Sequence, residues 1–345
     1  MAGAPFSRNS KKVSFLAPMQ DITDAGFMRA VSERGAPDFA IAEYFRIHEY
    51  YELEPHILES VLLNPQRVCA QFIGENTEYI SKAIAQIRNC YPQIKMLDLN
   101  LGCPAPKVYR KNVGGGLLRD IPKIAEILRV MRSEWDGCLS VKMRTGFDSD
   151  ERFAEIFETV LAGKPDFITI HARTVKQLYK GVPNYSKIAE AVRMCDIPII
   201  ANGDISGAKK AREIIESTGC AGVMCGRHAV RNPWIFRQIS EELAGLPVFE
   251  PTLADVRGYV DALRANIEAS SDRMKYADSR LKKFLNFVGT AIDPDGAFLY
   301  KMRRAKGMDS LLKVCDEFML DGGNAQKIFP QEPYAGVCSR PNHEL

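Results

Sequence analysis

The 345-residue sequence lacks several features that define common protein classes. No stretch approaches the roughly 20 consecutive apolar residues that cross a bilayer, and residues 1–12 are polar, without the apolar core of a signal peptide. The composition is ordinary for a globular protein, with 46% hydrophobic residues. We therefore expect a cytoplasmic protein with no membrane partner.

Patterns for metal sites and disulfides are missing as well. The nine cysteines form no CxxC pair, and there is no HxxxH pair. The nearest pairing, Cys220 with Cys225, encloses an apolar run of the kind found in buried strands. An odd number of cysteines lying mostly in apolar runs is typical of a reducing compartment, so we expect neither a metal site nor disulfides.

A strong excess of one charge is also missing, because the net charge is only +3. A value this small neither indicates nor excludes nucleic acid as a partner. The charge is unevenly distributed, since residues 271–313 contain ten Lys and Arg against five Asp and Glu. The basic character is therefore concentrated toward the C-terminus.

What the sequence does contain is a regular alternation of apolar runs and amphipathic segments. The eight apolar runs lie at residues 13–17, 39–42, 68–73, 96–99, 139–143, 167–170, 197–201 and 222–225. The segments with helical periodicity lie at residues 24–34, 77–89, 121–132, 149–162, 185–194, 208–217 and 233–243. Since parallel strands need crossover connections, eight such units in roughly 240 residues predict an α/β fold, a (β/α)8 TIM barrel. An open doubly wound sheet is the alternative, but the GxGxxG that usually follows its first strand is absent.

Polar side chains recur at the carboxyl end of nearly every predicted strand. They are Glu43 and Tyr44, Gln71, Asn100, Lys142 and Arg144, His171 and Arg173, Asn202 and Asp204, and Arg227. Each of them alone has an ordinary structural explanation, such as a snorkelling lysine or a residue in an Asx turn. Because the carboxyl ends of barrel strands meet on one face, where active sites form, their recurrence predicts an active site there.

Two features of these strand ends indicate the chemistry. Cys103 follows the fourth run between a glycine and a proline, and basic residues and the glycines 114–116 come after it, which favours a loop that closes over an anionic substrate. The segments Asn202–Asp204 and Gly226–Arg227 place backbone N–H groups ahead of helices, at the usual phosphate site of this fold. A phosphorylated cofactor across the mouth, beside Lys142, fits this pattern, and a phosphosugar substrate is the alternative.

The pattern changes beyond Pro251, where only helical spacing of apolar residues remains. We expect a TIM-barrel domain in residues 1–250, a smaller all-helical domain in residues 251–326 and a polar tail in residues 327–345. Two basic runs lie in the helical domain, and contact with RNA and simple solvation account for them about equally well.

Seven motifs in this order resemble those of the tRNA-dihydrouridine synthases, a family of FMN-dependent enzymes that reduce specific uridines in tRNA. They are Ala17-Pro18-Met19 with Thr23-Asp24, Asn100-Leu101-Gly102-Cys103-Pro104, Gly114-Gly115-Gly116-Leu117-Leu118, Lys142-Met143-Arg144-Thr145-Gly146, His171-Ala172-Arg173-Thr174, Asn202-Gly203-Asp204-Ile205 and Gly226-Arg227. The resemblance covers roughly residues 13–245, and the helical domain only loosely. Ala172 and His228 depart from the family pattern, and the helical domain matches no motif, so the resemblance does not identify the target uridine.

The resemblance implies a set of cofactor and substrate contacts. The FMN-binding residues would be Ala17, Pro18, Met19, Gln71, Asn100, Lys142, His171, Asn202, Gly203, Asp204, Gly226 and Arg227. NADPH would reduce the flavin, and Cys103 would protonate C5 of the uracil ring when hydride adds to C6. The candidates for contact with tRNA are Tyr44, Lys107, Tyr109, Arg110, Lys111, Arg173, Lys282, Lys283, Arg303 and Arg304. We expect the protein to be a monomer.

Two other functions share parts of this pattern. An FMN barrel that acts on a free pyrimidine, similar to dihydroorotate dehydrogenase, would have the same phosphate site and lysine but would not need a basic helical domain. A non-catalytic RNA-binding protein that kept the fold would not need Cys103, Lys142 and His171, all of which are present.

Overall fold

The structure is a computed structural model that describes residues 3–269 and 276–330. The chain packs into two compact units. The first comprises residues up to 25, 38–204 and 213–225, and the second comprises residues 26–37, 205–212 and those from 226 onward. The second unit therefore includes two short segments that lie between barrel strands in the sequence.

The first unit contains a closed barrel of eight parallel strands, in which chain neighbours are sheet neighbours and the last strand pairs with the first. The strands are β1 Val13–Leu16, β2 Phe39–Arg46, β3 Val68–Ile73, β4 Met96–Leu101, β5 Cys138–Arg144, β6 Phe167–His171, β7 Ile199–Asn202 and β8 Gly222–Cys225. Their bounds agree with the predicted runs to within about two residues, except that β2 continues farther, to Arg46. The predicted TIM barrel is confirmed.

Helices alternate with the strands along the chain. They are α1 Ala25–Gly35, α2 Pro55–Leu62, α3 Thr77–Cys90, α4 Pro106–Tyr109, α5 Ile121–Glu134, α6 Phe153–Ala162, α7 Ser186–Met194, α8 Ala208–Thr218, α9 Arg227–Arg231 and α10 Ile235–Leu243, with a 3-10 helix at Gly114–Arg119. Each predicted helical segment overlaps one of them. Sequence reasoning missed the short helices α4 and α9, and also α2, whose start is marked by a proline in its first turn.

Polar side chains determine where two of the longer helices begin. Asn76 accepts hydrogen bonds from the backbone N–H groups of Glu78 and Tyr79 at the start of α3. Asp120 accepts one from the N–H of Lys123 at the start of α5. Such caps satisfy backbone donors that have no partner inside the helix, so both helices start where the sequence places a short polar residue.

The barrel interior changes character along the strands. At their amino ends, the rings of Phe15, Phe39 and Phe167 pack together with Phe6, and their centroids are 5.1–5.7 Å apart. Toward the carboxyl ends the buried positions include polar groups, namely Gln71, Asp98, Asn100, Ser140, Thr169, His171 and Asn202. The barrel is therefore filled by apolar packing at one end and presents hydrogen-bonding groups at the other.

The second unit is helical in its C-terminal part. Its helices there are α11 Leu253–Glu268, α12 Ala277–Ile292, α13 Ala297–Arg304 and α14 Met308–Met319, followed by a 3-10 helix at Asp321–Gln326. Apolar residues at helical spacing are buried in them, among them Val260, Phe284 and Leu311. The predicted helical C-terminal region is confirmed where the structure describes it; residues 270–275 lie outside the described residues. None of the described helices has the length and the apolar composition that crossing a membrane requires.

The first residues of the predicted tail pack within the second unit. Ile328 forms a β-bridge with Thr252. Phe329 is fully buried, and its backbone N–H donates to the carbonyl of Pro251. The rest of the predicted tail, residues 331–345, lies outside the described residues.

Candidate active site

Polar side chains from neighbouring strands meet at the carboxyl end of the barrel. Paired residues of parallel neighbours face the same side of a sheet, so the strand register shows which side chains share the mouth. The pairs are Gln71 with Asp98, Asp98 with Ser140, Asn100 with Lys142, and His171 with Asn202. The structure therefore brings together five of the predicted cofactor residues, carried by the five consecutive strands β3 to β7.

A chain of hydrogen bonds connects three of these strands. Asp98 accepts from the hydroxyl of Ser140 at 2.6 Å and from Nε2 of Gln71 at 2.7 Å. Oε1 of Gln71 accepts from Nδ2 of Asn100 at 2.8 Å, and Oδ1 of Asn100 accepts from the backbone N–H of Cys103 at 2.9 Å. Because a carboxylate only accepts hydrogen bonds, it determines the orientation of both amides, and the chain ends at the cysteine loop.

Asp98 anchors this chain, and sequence reasoning missed it. Burial raises the pKa of Asp98 from 3.8 to about 6, while the hydrogen bonds from Ser140 and Gln71 and the charge of Lys142 lower it. The signal in the sequence was an acidic residue inside an apolar strand, two positions before Asn100. Carboxylates are almost never fully buried unless they are paired, so this position already pointed to an internal hydrogen-bond network.

Lys142 places a positive charge in the mouth. Burial, and after it the charge of Arg144, lowers the pKa of Lys142 to about 8, against the opposing effect of Asp98. The Lys142 ammonium donates to Oδ1 of Asn202 at 3.2 Å. Nδ2 of Asn202 in turn donates to the carbonyl of Met224 at 2.8 Å. The lysine is thus held in place by β7 and β8 and remains charged near neutral pH.

Cys103 is half-buried on the loop after β4, and small residues support this loop. A Cβ added to Gly114 would lie 3.1 Å from the Cβ of Cys103, and a Cβ added to Gly115 would lie 2.9 Å from the carbonyl oxygen of Cys103. Both positions are therefore too close to Cys103 for a side chain. The buried Arg144 donates to the carbonyl of Gly102 at 3.0 Å. The glycine cluster is buried against the cysteine loop. Closure of this loop over an anionic substrate stays a prediction.

Tyr44 faces the barrel mouth because β2 is irregular. The register of β2 against β3 shifts between Ile41 and Tyr44, and Tyr44 pairs with Gln71. Strict alternation from Ile41 would turn Glu43 toward the barrel interior, but the extra residue of a β-bulge turns Tyr44 there instead. As a result, the Tyr44 side chain lies beside Gln71, and its hydroxyl donates to Oε1 of Gln20 at 3.1 Å and accepts from the guanidinium of Arg46 at 3.3 Å.

The turn after β1 is shaped by Thr23. Its hydroxyl donates to the carbonyl of Ala17 at 3.0 Å and accepts from the backbone N–H of Met19 at 3.0 Å. Pro18 and Met19 are half-buried there. Thr23 therefore holds the segment that carries three predicted flavin contacts, although the contacts themselves stay predictions.

Arg173 and Asp204 form an ion pair after β6 and β7. Two nitrogens of the buried guanidinium donate to the two carboxylate oxygens, at 3.0 and 2.6 Å. Arg173 also donates to the carbonyls of Lys180 and Gly181. Asp204 and the preceding Gly203 have positive φ angles, +46° and +116°, which only glycine adopts without strain. The ion pair therefore holds together the segments that follow β6 and β7. The predicted roles of Arg173 toward tRNA and of Asp204 toward FMN stay predictions.

Gly226 and Arg227 belong to the second unit. Gly226 directly precedes α9, a helix of five residues, and both residues are half-buried. Their predicted contact with the FMN phosphate stays a prediction.

Exposed cations in the first unit surround an aromatic pair. The ring of Tyr109 packs edge-on against Phe147, with the centroids 5.5 Å apart. The ammonium of Lys176 lies 5.3 Å from the Tyr109 centroid, and the guanidinium of Arg119 lies 4.2 Å from the Phe147 centroid. The predicted tRNA residues Lys107, Arg110 and Lys111 are exposed close by in the sequence. Sequence reasoning missed Lys176, which is distant from Tyr109 along the chain, and Arg119, which lies beyond the glycine cluster.

The predicted basic residues of the second unit differ in exposure. Arg303 and Arg304 are exposed at the end of α13, and the guanidinium of Arg304 lies 3.6 Å from the centroid of Tyr300. Lys282 and Lys283 on α12 are half-buried, and the ammonium of Lys282 donates to a backbone carbonyl. The two arginines are thus the more accessible pair for an anionic partner.

Within residues 3–269 and 276–330, no group of three or more His, Cys, Asp and Glu side chains is arranged to hold a metal ion. The eight cysteines of this part of the chain are free thiols.

The sequence is similar to a family model and to several curated proteins. Residues 15–318 match the family model described as dihydrouridine synthase (Dus). The chain is 34% identical over 243 residues to a probable tRNA-dihydrouridine synthase of Helicobacter pylori strain J99, which covers 69% of this chain and 73% of the relative. It is 35% identical over 234 residues to tRNA-dihydrouridine synthase B of Pseudomonas aeruginosa, which covers 66% and 69%.

Among solved structures, a complex of 2-naphthoyl-CoA reductase with 2-naphthoyl-CoA superposes with a TM-score of 0.51 at 12% identity, covering 68% of this chain and 50% of that one. At this identity the likeness shows a shared fold alone. The family model spans most of the chain, and the order of motifs noted in the sequence agrees with it. The chain therefore belongs to the dihydrouridine synthase family.

Proposed function

We propose that this protein is a tRNA-dihydrouridine synthase that reduces the C5–C6 double bond of specific uridines in tRNA, with bound FMN as the flavin and NADPH as the reductant. The observation that carries the proposal is the placement of Cys103, a half-buried thiol on the loop after β4. Asn100 holds this loop through a hydrogen bond from the backbone N–H of Cys103, and Asn100 itself pairs with Lys142 on the neighbouring strand. Family membership and the names of the curated relatives support the same activity.

The groups at the mouth suit a flavin. Gln71, Asn100 and Asn202 offer side-chain amides, and Lys142 offers an ammonium, which complement the carbonyl oxygens and nitrogens along the polar edge of an isoalloxazine ring. When bound, FMN supplies the hydride that it receives from NADPH. Lys142, with His171 beside it, would face the ring edge where negative charge develops, and backbone N–H groups after β7 would hold the phosphate.

Cys103 would give the proton that completes the reduction. Cysteine thiols generally carry their proton near neutral pH, which suits a donor to C5 as hydride adds to C6. The hydrogen bond from its backbone N–H to Asn100 fixes the loop, and the Asp98–Gln71 part of the chain fixes Asn100. The loop that carries the proton donor is thus held by Asn100, and Asn100 is held by Gln71.

The uridine of a folded tRNA has to leave its stack to reach the mouth. Unstacking costs a few kcal/mol, and contacts between cations and phosphates offset it. We propose that the exposed cations around Tyr109 supply part of these contacts and that Arg303 and Arg304 supply others. In this division residues 1–250 carry the chemistry and residues 251–326 contribute to holding tRNA. We expect the protein to work in the cytoplasm, as a monomer.

Reduction of defined substrates tests the proposal. The purified protein should be yellow and release FMN on denaturation. Incubated with NADPH and unmodified tRNA, it should produce dihydrouridine, measured by mass spectrometry of the digested tRNA, while uridine and orotate remain unchanged. Protein that lacks flavin, or that turns over a free pyrimidine and leaves tRNA unmodified, would overturn the proposal.

A further inference from the structure

The loop that follows β7 is held by groups from the segment that follows β6. The hydroxyl of Tyr185, directly before α7, donates to the carbonyl of Gly203 at 2.6 Å. The backbone N–H of Ala172 donates to the carbonyl of Asn202 at 3.0 Å, and the ion pair described above occupies the carboxylate of Asp204. An oxygen acceptor of each of these consecutive residues is therefore bonded to a donor from the preceding loop.

The backbone of this loop has a conformation that needs such support. Gly203 and Asp204 both have positive φ angles, and a residue with a side chain adopts that region only at a cost in free energy. A Cβ added to Gly203 would lie 3.0 Å from Cδ2 of His171. Because strained backbone persists only where its surroundings impose it, we attribute the shape of the loop to the hydrogen bonds from Tyr185 and Arg173.

The hydrogen bond from Tyr185 determines which way one peptide group faces. In a planar trans peptide the C=O and the following N–H point in opposite directions. With the carbonyl of Gly203 directed at the Tyr185 hydroxyl, the N–H of Asp204 therefore points away from that hydroxyl. Backbone N–H groups attract anions, whereas a carbonyl oxygen repels them, so the same peptide turned over would present the wrong atom to a phosphate.

Tyr185 is suited to this task at neutral pH. Burial, and after it the charge of Asp204, raises the pKa of Tyr185. The hydroxyl therefore keeps its proton and remains a donor to the carbonyl. Arg173 complements it, because its bidentate pairing with Asp204 compensates a carboxylate charge that would otherwise repel an anion at this loop.

We propose that Tyr185 is a positioning residue for the phosphate of FMN: by holding the carbonyl of Gly203, it keeps the N–H of Asp204 turned toward the phosphate. The inference rests on the proposed function, in which FMN is the cofactor. The family resemblance implied contacts of Gly203 and Asp204 with FMN and assigned no role to Tyr185.

A comparison of two flavins separates this role from general support of the fold, because riboflavin is FMN without its phosphate. Tyr185→Phe removes the hydroxyl and keeps the ring. Tyr91→Phe is the matched control, since Tyr91 is a half-buried tyrosine between α3 and β4, at the amino end of the barrel. The full-length proteins are freed of flavin, and the dissociation constants of FMN and of riboflavin are measured by the quenching of flavin fluorescence. Urea midpoints show that each variant is folded.

The expected effect is selective for FMN. The net contribution of one neutral hydrogen bond corresponds to a factor of about two to ten in an equilibrium. Tyr185→Phe should therefore weaken the binding of FMN about fivefold and leave that of riboflavin within about twofold of the parent. Tyr91→Phe should match the parent for both flavins.

A second variant addresses the same loop from its other support. Arg173→Lys keeps the positive charge but cannot make the paired hydrogen bonds to the carboxylate of Asp204. It should also weaken FMN more than riboflavin, and it carries the test if Tyr185→Phe does not fold.

Equal weakening of both flavins in Tyr185→Phe, or unchanged binding of both, overturns the inference. A parent protein that binds FMN no more tightly than riboflavin overturns it as well, and reduction of tRNA can still be observed in that case. If the two affinities change as expected but the protein forms no dihydrouridine from tRNA and NADPH, the proposed function fails and the role of Tyr185 is retained.

Discussion

The two ends of the barrel interior are built from the same eight strands by opposite means. At the amino end, the rings of Phe15, Phe39 and Phe167 belong to one apolar cluster. At the carboxyl end, buried groups such as Asp98 and Asn100 are held by hydrogen bonds. Apolar packing depends mainly on volume, whereas a buried polar chain depends on the orientation of every member. The comparison teaches that stability and chemistry occupy separate layers of this barrel, and substitutions of Cys103, Phe167 and Asp98 test that separation.

The largest effect is expected at the carboxyl end, from Cys103→Ala. A positioned proton donor contributes about 10²- to 10⁴-fold to a rate, so the formation of dihydrouridine should fall by that range. FMN content and the urea midpoint should stay close to those of the parent, because a half-buried thiol on a loop adds little to the core. Cys90→Ala, at an exposed cysteine, is the control and should keep full activity. A parental rate in Cys103→Ala would show that another group donates the proton.

At the amino end, Phe167→Ala should act on stability instead. Phe167 is fully buried among other rings, and removing such a ring lowers the free energy of unfolding by about 3–5 kcal/mol. Urea denaturation measures this change, and Phe167→Leu should lose clearly less. The folded fraction should reduce tRNA at close to the parental rate. A large loss of activity without a loss of stability would contradict the separation of the two layers.

Asp98→Asn should change how stability depends on pH. The pKa of Asp98 is raised from 3.8 to about 6 by burial, so the folded state holds this proton more tightly than the unfolded chain does. The stability of the parent therefore falls as pH rises from about 4 to about 6, and the variant should lack this part of the fall. Urea midpoints at pH 4 and pH 7 measure the difference, and identical pH dependence in both proteins would count against the burial of a titrating carboxyl.

The same substitution tests the hydrogen-bond chain. An amide at position 98 offers an N–H₂ group where Gln71 or Ser140 now donates, so one partner has to turn away. We expect a roughly tenfold lower rate of tRNA reduction from the disturbed cysteine loop.

The smallest effect is expected from the surface of the second unit. Arg303→Glu should weaken tRNA binding a few-fold and lower the salt dependence of binding by about one unit of slope. Lys11→Glu makes the same charge change at an exposed residue just before β1, at the amino end of the barrel, and should alter binding less. Equal effects of the two variants, in titrations at several salt concentrations, would mean that only net charge matters.

Much of the barrel could be predicted because its signals are local. A strand covered on both faces is a short apolar run wherever it occurs in a chain, so all eight runs became strands. The helix α2 was missed because eight residues give too few turns for a clear helical period. Its buried residues Ile57, Leu58 and Val61 fit a helix, but also a short irregular segment.

The sequence alone supplied the order of strands and helices, the polar residues at the strand ends and the family motifs, because each of these depends on residues close together in the chain. It did not show that Tyr44 rather than Glu43 would turn toward the barrel interior, nor that Asp98 would orient Gln71 from 27 positions away. Those outcomes depend on strand register and on a bulge. Both are determined by hydrogen bonds to a neighbouring strand, and such partners come together only when the barrel closes.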